Sequence, residues 1–287
     1  MIKRISNLAL IFLLALIFCS GKSIYADKDS TPATILVYGD TRTHQDIHEE
    51  IADTMLKLEP DVIFHTGDCV TKPDDKEEWA VFAGIVERLK KKAKFYPAVG
   101  NHDVPKKEKG TRDAIFFDFF KIPKNKRWYD VDVDNMHFII LDSTLSLKVD
   151  SRQYRWLKDN LKRSQGKYDF IITMLHYPLF SVGKKARQAE KIRSRSSLTA
   201  LFEKYGVRVV FSGHDHNYQR ILHNGIFYII AGGGGAPLHD RTAASDECKV
   251  FIKDYHFCKI INTGDDLECS VYDRDLNILD SFSVSRE

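Results

Sequence analysis

Five short apolar runs in this 287-residue chain each lead into a side chain able to hold a metal ion, and that recurrence restricts the fold more than any other feature. Ile35-Leu36-Val37-Tyr38 stops at Gly39-Asp40, and Val62-Ile63-Phe64 leads to Gly67-Asp68. Residues 95–99 end at Gly100-Asn101-His102-Asp103, and residues 170–175 run straight into His176. The fifth run, residues 207–211, reaches Gly213-His214-Asp215-His216. Short continuous apolar runs of this kind read as buried strands. Helical patterns separate the first three, with Ile47, Ile51, Met55 and Leu58 spaced by three and four in one and residues 77–92 forming the other. Strands alternating with helices predict parallel pairing, and ligands collect at the carboxyl edge of such a sheet.

The later rhythm differs. Residues 129–142 hold two strand-like segments around Asp134-Asn135, a hairpin pattern. Residues 151–164 read as a helix with Tyr154, Leu157 and Leu161 on one face, and another helix ends near Tyr205-Gly206. Beyond residue 225 the chain is mainly β: residues 226–231, a glycine run at 232–235, then strands from about Tyr255 onward. There is no internal repeat and no Pro/Ser-rich linker after the leader. One α/β domain over residues 27–287 is expected, a two-sheet β-sandwich flanked by helices.

The leader itself is residues 1–26. Lys3 and Arg4 precede an apolar run from Leu8 to Cys19, and Ile24-Tyr25-Ala26 offers a cleavage site after Ala26. The run is short for a membrane span, which needs about 20 apolar residues. Export to the periplasm or outside is expected. Lipidation at Cys19 is the rival reading, disfavoured by bulky Phe18, and it or an uncleaved leader is the one route to a membrane. The leader carries Lys3, Arg4 and Lys22 and no acid, so without it the basic residues balance the 40 acidic ones. A generic polyanion-binding surface gains no support from that balance, and nucleic acid is not indicated.

Four cysteines remain: Cys69, loop-borne Cys248, Cys258 and Cys269. An oxidising compartment permits disulfides. A hairpin turning around Thr263-Gly264-Asp265 would set Cys258 opposite Cys269 and Lys259 opposite Glu268, yet Cys248 is a competing partner and the connectivity stays open.

Carboxylate, amide oxygen and imidazole in one set suit borderline divalent metals such as Zn, Mn or Fe better than calcium. Any one Gly-Asp pair is an ordinary turn. Five strand ends in agreement are not, and His176 before Tyr177-Pro178 is weighed as a ligand over a buried structural imidazole. Cys69 is not counted, because its side chain should point away from that of Asp68.

In order and approximate spacing, Gly39-Asp40, Gly67-Asp68, Gly100-Asn101-His102-Asp103, His176 and Gly213-His214-Asp215-His216 resemble the motif series of calcineurin-like metallophosphoesterases. The resemblance spans roughly residues 33 to 283. Residues 213–220 (GHDHNYQR) and 232–238 (GGGGAPL) are similar to the purple-acid-phosphatase-like branch. It implies a two-metal centre: Asp68 bridging, Asp40 and His216 at the first position, Asn101, His176 and His214 at the second. Fe, Mn or Zn in Fe–Zn, Fe–Mn, di-Mn or di-Zn pairs are all compatible. It implies hydrolysis of a small-molecule phosphate monoester or diester by a metal-bridging hydroxide. Asn101 and His102 would bind substrate, His102 would stabilise phosphoryl charge or protonate the leaving group, and Asp103 would orient His102 and raise its basicity.

The chain departs from the family at one place. Many members carry Asp-x-His in the first motif, where this chain has Asp40-Thr41-Arg42; purple acid phosphatases supply a Tyr at the position of Thr71. The first metal position is therefore one protein ligand short, since arginine does not ligate metals. Three readings stand: water or substrate fills the gap, His44 reaches back, or one ion alone is held tightly. Arg42 either binds substrate phosphate through its planar fork or pairs with a carboxylate. A catalytically degenerate member that binds metal, phosphate or a partner is the alternative to an enzyme.

The remaining features have plainer readings. The glycine run lacks the Lys-Ser/Thr ending of a phosphate loop, so close backbone packing is expected there. The Lys/Arg cluster at 184–195 reads as a solvated face. Asp215 is expected to point outward or to hydrogen-bond. His48, His65, His137, His223, His239 and His256 default to structural or surface roles.

Overall fold

The computed structural model describes residues 31–105, 115–122, 126–190 and 194–286. The leader, Cys19 within it, and residues 191–193 of the basic cluster lie outside the described residues.

Two sheets pack face to face. The first has the order β13-β12-β11-β1-β2-β3. Its parallel half is β1 (Ile35–Tyr38), β2 (Val62–His65) and β3 (Lys94–Pro97). Its antiparallel half is β11 (Phe257–Asn262), β12 (Asp266–Tyr272) and β13 (Ile278–Ser285). The second sheet has the order β10-β8-β9-β7-β6-β5-β4. Its strands are β4 (Tyr129–Val133), β5 (Met136–Ile140), β6 (Phe170–Met174), β7 (Val207–Ser212), β8 (Tyr218–His223), β9 (Ile226–Ala231) and β10 (Cys248–Ile252). Strands β5, β6, β7 and β9 run parallel.

Both faces of the central strands are covered, which is why they read as unbroken apolar runs rather than alternating ones. Ile35, Val37 and Phe64 face inward onto Phe138, Ile140 and Phe211 of the other sheet, and the Phe64 and Phe138 rings stack at 4.4 Å. The opposite-facing Leu36, Tyr38 and Ile63 lie under α1 (Gln45–Lys57) and α2 (Lys76–Lys92), which bury Ile51, Met55, Trp79 and Phe82 there. Beneath α4 (Arg152–Ser164) and α6 (Arg195–Lys204), Ile139, Ile171 and Val210 meet Leu157, Leu161, Leu198 and Phe202. Helix α4 starts where expected because Ser151 accepts a hydrogen bond from the Tyr154 amide, and Asp75 caps α2 through the Glu77 and Glu78 amides. Two short helices, α3 (Ile115–Phe119) and α5 (Ala186–Glu190), complete the described residues. No described helix is long and apolar enough to cross a membrane.

Two expectations are corrected. The hairpin register is shifted by two: Cys258 pairs with Val271, Lys259 with Ser270, and Cys269 with Ile260. The cause is the turn. Gly264 adopts φ +96° at its first central position, and the Thr263 amide closes onto the Asp266 carbonyl at 2.9 Å, so Gly264-Asp265 forms the tip. Cys258 and Cys269 become diagonal neighbours in the core, and all four described cysteines are free thiols. Cys248, moreover, opens strand β10 opposite Ile221 rather than sitting in a loop.

Candidate metal centre

The carboxyl ends of β1, β2 and β3 in one sheet and of β6 and β7 in the other supply the polar residues. Asp40, Asp68 and His214 all have positive φ (56°, 60° and 67°), so each chain turns sharply just past its strand. Asp and His tolerate this left-handed conformation better than β-branched residues do, and such strain gathers at functional sites. The turns pack backbone against backbone. A Cβ on Gly100 would lie 2.1 Å from the Asp68 amide nitrogen, and one on Gly213 would lie 2.3 Å from Asp40 Oδ2.

Asp68, His176 and His214 offer ligand atoms that all lie within 4.8 Å of one another, and all three are buried. Asn101 Oδ1 is 3.2 Å from His176 Nε2, and Asp68 Oδ1 is 3.3 Å from the same nitrogen. Asp68 Oδ1 also accepts the His102 amide at 2.9 Å. These oxygens and nitrogens fit a borderline divalent ion at the second position.

The main chain orients three imidazoles through Nδ1. Nδ1 of His102 faces the Thr71 carbonyl at 2.7 Å, Nδ1 of His176 faces that of Thr66 at 2.9 Å, and Nδ1 of His216 faces that of Pro237 at 2.8 Å. A carbonyl only accepts, so each Nδ1 carries a proton; Nε2 of His102 and His216 is then the nitrogen with the lone pair, whereas Nε2 of His176 faces Asn101 Oδ1 and Asp68 Oδ1 and carries a proton as well. In His214, Nε2 donates to Gln188 Oε1 at 3.0 Å instead, which leaves Nδ1 free.

The electrostatics of the cluster follow from its burial and its carboxylates. Burial lowers an imidazole, yet the Asp68 carboxylate outweighs it and lifts His176 to about 9. Burial, then the positive His176, push His214 down to about 2, while burial and neighbouring His239 push His216 to about 3. Both are therefore neutral at pH 7 with lone pairs available. Burial raises the Asp68 carboxyl, but His176 beside it prevails and holds it well below the ordinary carboxylate range. Burial, opposed by His176 but reinforced by Asp68, pushes Asp40 up to about 8.

Asp40 Oδ1 lies 3.6 Å from His216 Nε2, with Asp68 Oδ2 completing the first position; neither carboxylate oxygen has a hydrogen-bond partner. The cation among these groups is Arg42. Its Nε is 3.5 Å from Asp68 Oδ2 and its Nη2 is 3.4 Å from His216 Nε2. Of the two readings of Arg42, the structure displays the carboxylate pair. His44 does not reach this position: its Nδ1 is engaged with the Tyr255 hydroxyl at 3.0 Å.

Asp103 is placed differently from expectation. Its Oδ2 accepts the amides of Gly100 (2.7 Å) and Asp68 (2.9 Å), and its Oδ1 accepts that of Cys69 (2.8 Å). It staples two ligand-bearing loops together, and the carbonyl of Thr71, not Asp103, orients His102. Asp215 is buried and accepts hydrogen bonds from Ser181, the Lys185 amide and His239. The glycine run packs closely here, since a Cβ on Gly232 would lie 2.3 Å from the Asp215 carbonyl and 3.0 Å from Asp40 Oδ2. Sequence reasoning missed His239, whose ring stacks on His216 at 4.0 Å, Gln188, and Tyr177, which meets the His214 ring edge-on at 4.6 Å. Tyr177 directly follows His176, the one local signal among the three.

Comparisons with known proteins agree with this geometry. The calcineurin-like phosphoesterase family model matches residues 33–218. Purple acid phosphatase 21 of Arabidopsis thaliana is 29% identical over 206 residues, covering 64% of this chain and 46% of that protein. A protein of Hordeum vulgare named nucleotide pyrophosphatase/phosphodiesterase is 26% identical over 266 residues, 79% of this chain and 72% of its own. Thus the chain spans about half the length of the first of these relatives and under three quarters of the second. Among solved structures, purple acid phosphatase PPD1 from yellow lupin (Lupinus luteus) superposes with a TM-score of 0.78 at 20% identity, covering 90% of this chain and 54% of that one. The fold, the strand-end residues and the family match over most of the chain lead to one conclusion: this protein belongs to the calcineurin-like phosphoesterase family.

Proposed function

We propose that this protein is an exported, metal-dependent phosphoesterase that hydrolyses small-molecule phosphate monoesters or diesters. The observation that carries the reading is the meeting of Asp68, His176 and His214 within 4.8 Å, with Asn101 beside them. Asp68, Asn101, His176 and His214 would hold a metal ion of the Fe, Mn or Zn type, and Asp40 and His216 border the first position. A bound ion supplies Lewis acidity toward phosphoryl oxygen and lowers the pKa of water.

The chain's own residues do the rest. His102 donates its Nδ1 proton to the Thr71 carbonyl, so Nε2 is the atom that, once protonated, would donate to a phosphoryl or leaving-group oxygen. The Arg42 side chain, 17% exposed, stands beside Asp68 and would offer its planar fork to a phosphoryl oxygen. The Hordeum relative's name supports the diester arm, the purple acid phosphatase relatives the monoester arm. Export rests on Lys3, Arg4, the apolar run and Ile24-Tyr25-Ala26.

A second reading is a non-catalytic member that binds metal or phosphate, favoured by Arg42 standing where the family has a ligand. The two separate on hydrolysis of p-nitrophenyl phosphate and its bis-ester by the purified protein, stripped of metal and resupplied with Mn, Zn or Fe. Turnover restored by metal is the expected result. Folded protein that binds metal and phosphate but turns over neither ester would sustain the second reading instead.

A further inference from the structure

The first metal position already holds a cation. Asp40 Oδ1, Asp68 Oδ2 and His216 Nε2 converge there, two of them carboxylate oxygens without a hydrogen-bond partner. The guanidinium of Arg42 enters the same space, at 3.5 Å from Asp68 Oδ2 and 3.4 Å from His216 Nε2. Its side chain is only 17% exposed, and Asp68 is fully enclosed, so this is not a surface pair.

The hydrogen-bond chemistry has one solution. Pro237 accepts the Nδ1 proton of His216, so Nε2 has only a lone pair, and Arg42 Nη2 donates to it. An ion entering between Asp40, Asp68 and His216 would compete with the guanidinium for that lone pair and for Asp68 Oδ2. It would also meet a fixed positive charge that proteins do not deprotonate. The second position holds no guanidinium: Asp68 Oδ1, Asn101 Oδ1, His176 and His214 gather there, and Asp68 meets Arg42 through its other oxygen, Oδ2.

We propose that the centre takes one metal ion per chain, at the Asp68–Asn101–His176–His214 position, and that Arg42 serves as the built-in cation of the other. The inference rests on the proposed metal-binding function and specifies its stoichiometry. Arg42 stands two residues after Asp40, where the Asp-x-His pattern carries its histidine, so one substitution interchanges the two designs. A guanidinium is planar with several donors, so the first position is left suited to gripping a phosphoryl oxygen rather than to coordinating one.

The test is metal content of the purified full-length protein after equilibration with Mn and gel filtration, together with its electron paramagnetic resonance spectrum. Wild type is expected to retain one Mn per chain with the signal of an isolated ion. Arg42→His is expected to retain two, with an exchange-coupled spectrum. Two ions per wild-type chain, or a coupled spectrum, would overturn the inference while leaving the metal-dependent reading in place. No ion in the wild type after equilibration with Mn, Zn or Fe in turn would overturn the metal-dependent reading itself. One ion in both proteins would show that Arg42 does not bar the second. Should Arg42→His fail to fold, the wild-type count and spectrum still decide the matter, and Arg42→Ala with two ions supports it.

Discussion

At the residue scale, three backbone amides claim the carboxylate of Asp103, those of Gly100 and Asp68 on Oδ2 and that of Cys69 on Oδ1. In Asp103→Asn one acceptor oxygen becomes a donor facing amides, leaving at least one buried N–H unpaired, a cost of about 1–3 kcal/mol. Urea denaturation should show that loss, with the pH–rate profile keeping its shape. A profile that shifts while stability stays unchanged would return Asp103 to the role of partner to His102. The sequence marked Asp103 as a candidate but not its contacts. It marked Asp40, Asp68, Asn101, His176, His214 and His216 as candidates because each lies within a few residues of the end of an apolar run, and the structure brings them together. Their orienting partners were not legible. The Thr66, Thr71 and Pro237 carbonyls, Gln188 and His239 act across long sequence separations and carry no motif.

Elements differ in how plainly their residues declare them. The central strands and α1, α2 and α4 were readable because burial on both faces or on one helical stripe imposes a simple pattern. Strands β8 and β10 lie toward one edge of their sheet and mix polar with apolar residues, so their sequences resemble loops. The β11–β12 register turned on which residue took the tip, and only the positive φ of Gly264 reveals it. Helix α1 carries a consequence in its buried His48, whose Nε2 is 3.3 Å from the Tyr38 hydroxyl and whose ring stacks on Phe82 of α2. Burial depresses its pKa to about 3. Between about pH 6.5 and pH 3 the unfolded chain therefore binds a proton that the folded chain refuses, and stability falls as pH falls. Replacing His48 with Gln keeps a partner for Tyr38 and removes the titration. The variant's stability should drop less steeply from pH 6.5 to 4, by up to about 1.4 kcal/mol per pH unit. Parallel slopes for both proteins would contradict the buried neutral imidazole.

Across the whole molecule, the sandwich explains why residues from 40 to 216 share one centre. Stacking the two sheets brings the carboxyl ends of β1, β2 and β3 against those of β6 and β7, and Phe64 on Phe138 is part of the seam that holds that alignment. Each sheet alone would carry half a site: Asp40, Asp68 and Asn101 on one, His176, His214 and His216 on the other. Asn101 belongs to the first sheet and touches His176 of the second, so it reports on the joint directly. The measurement that probes the central claim most directly is the kcat of Asn101→Ala against wild type on p-nitrophenyl phosphate at saturating metal, with the fold of each confirmed by circular dichroism. A loss of about 10²-fold or more is predicted, the scale of removing a group that acts on the transition state. Wild-type turnover in a folded Asn101→Ala protein would contradict a catalytic centre built from the meeting of these strand ends.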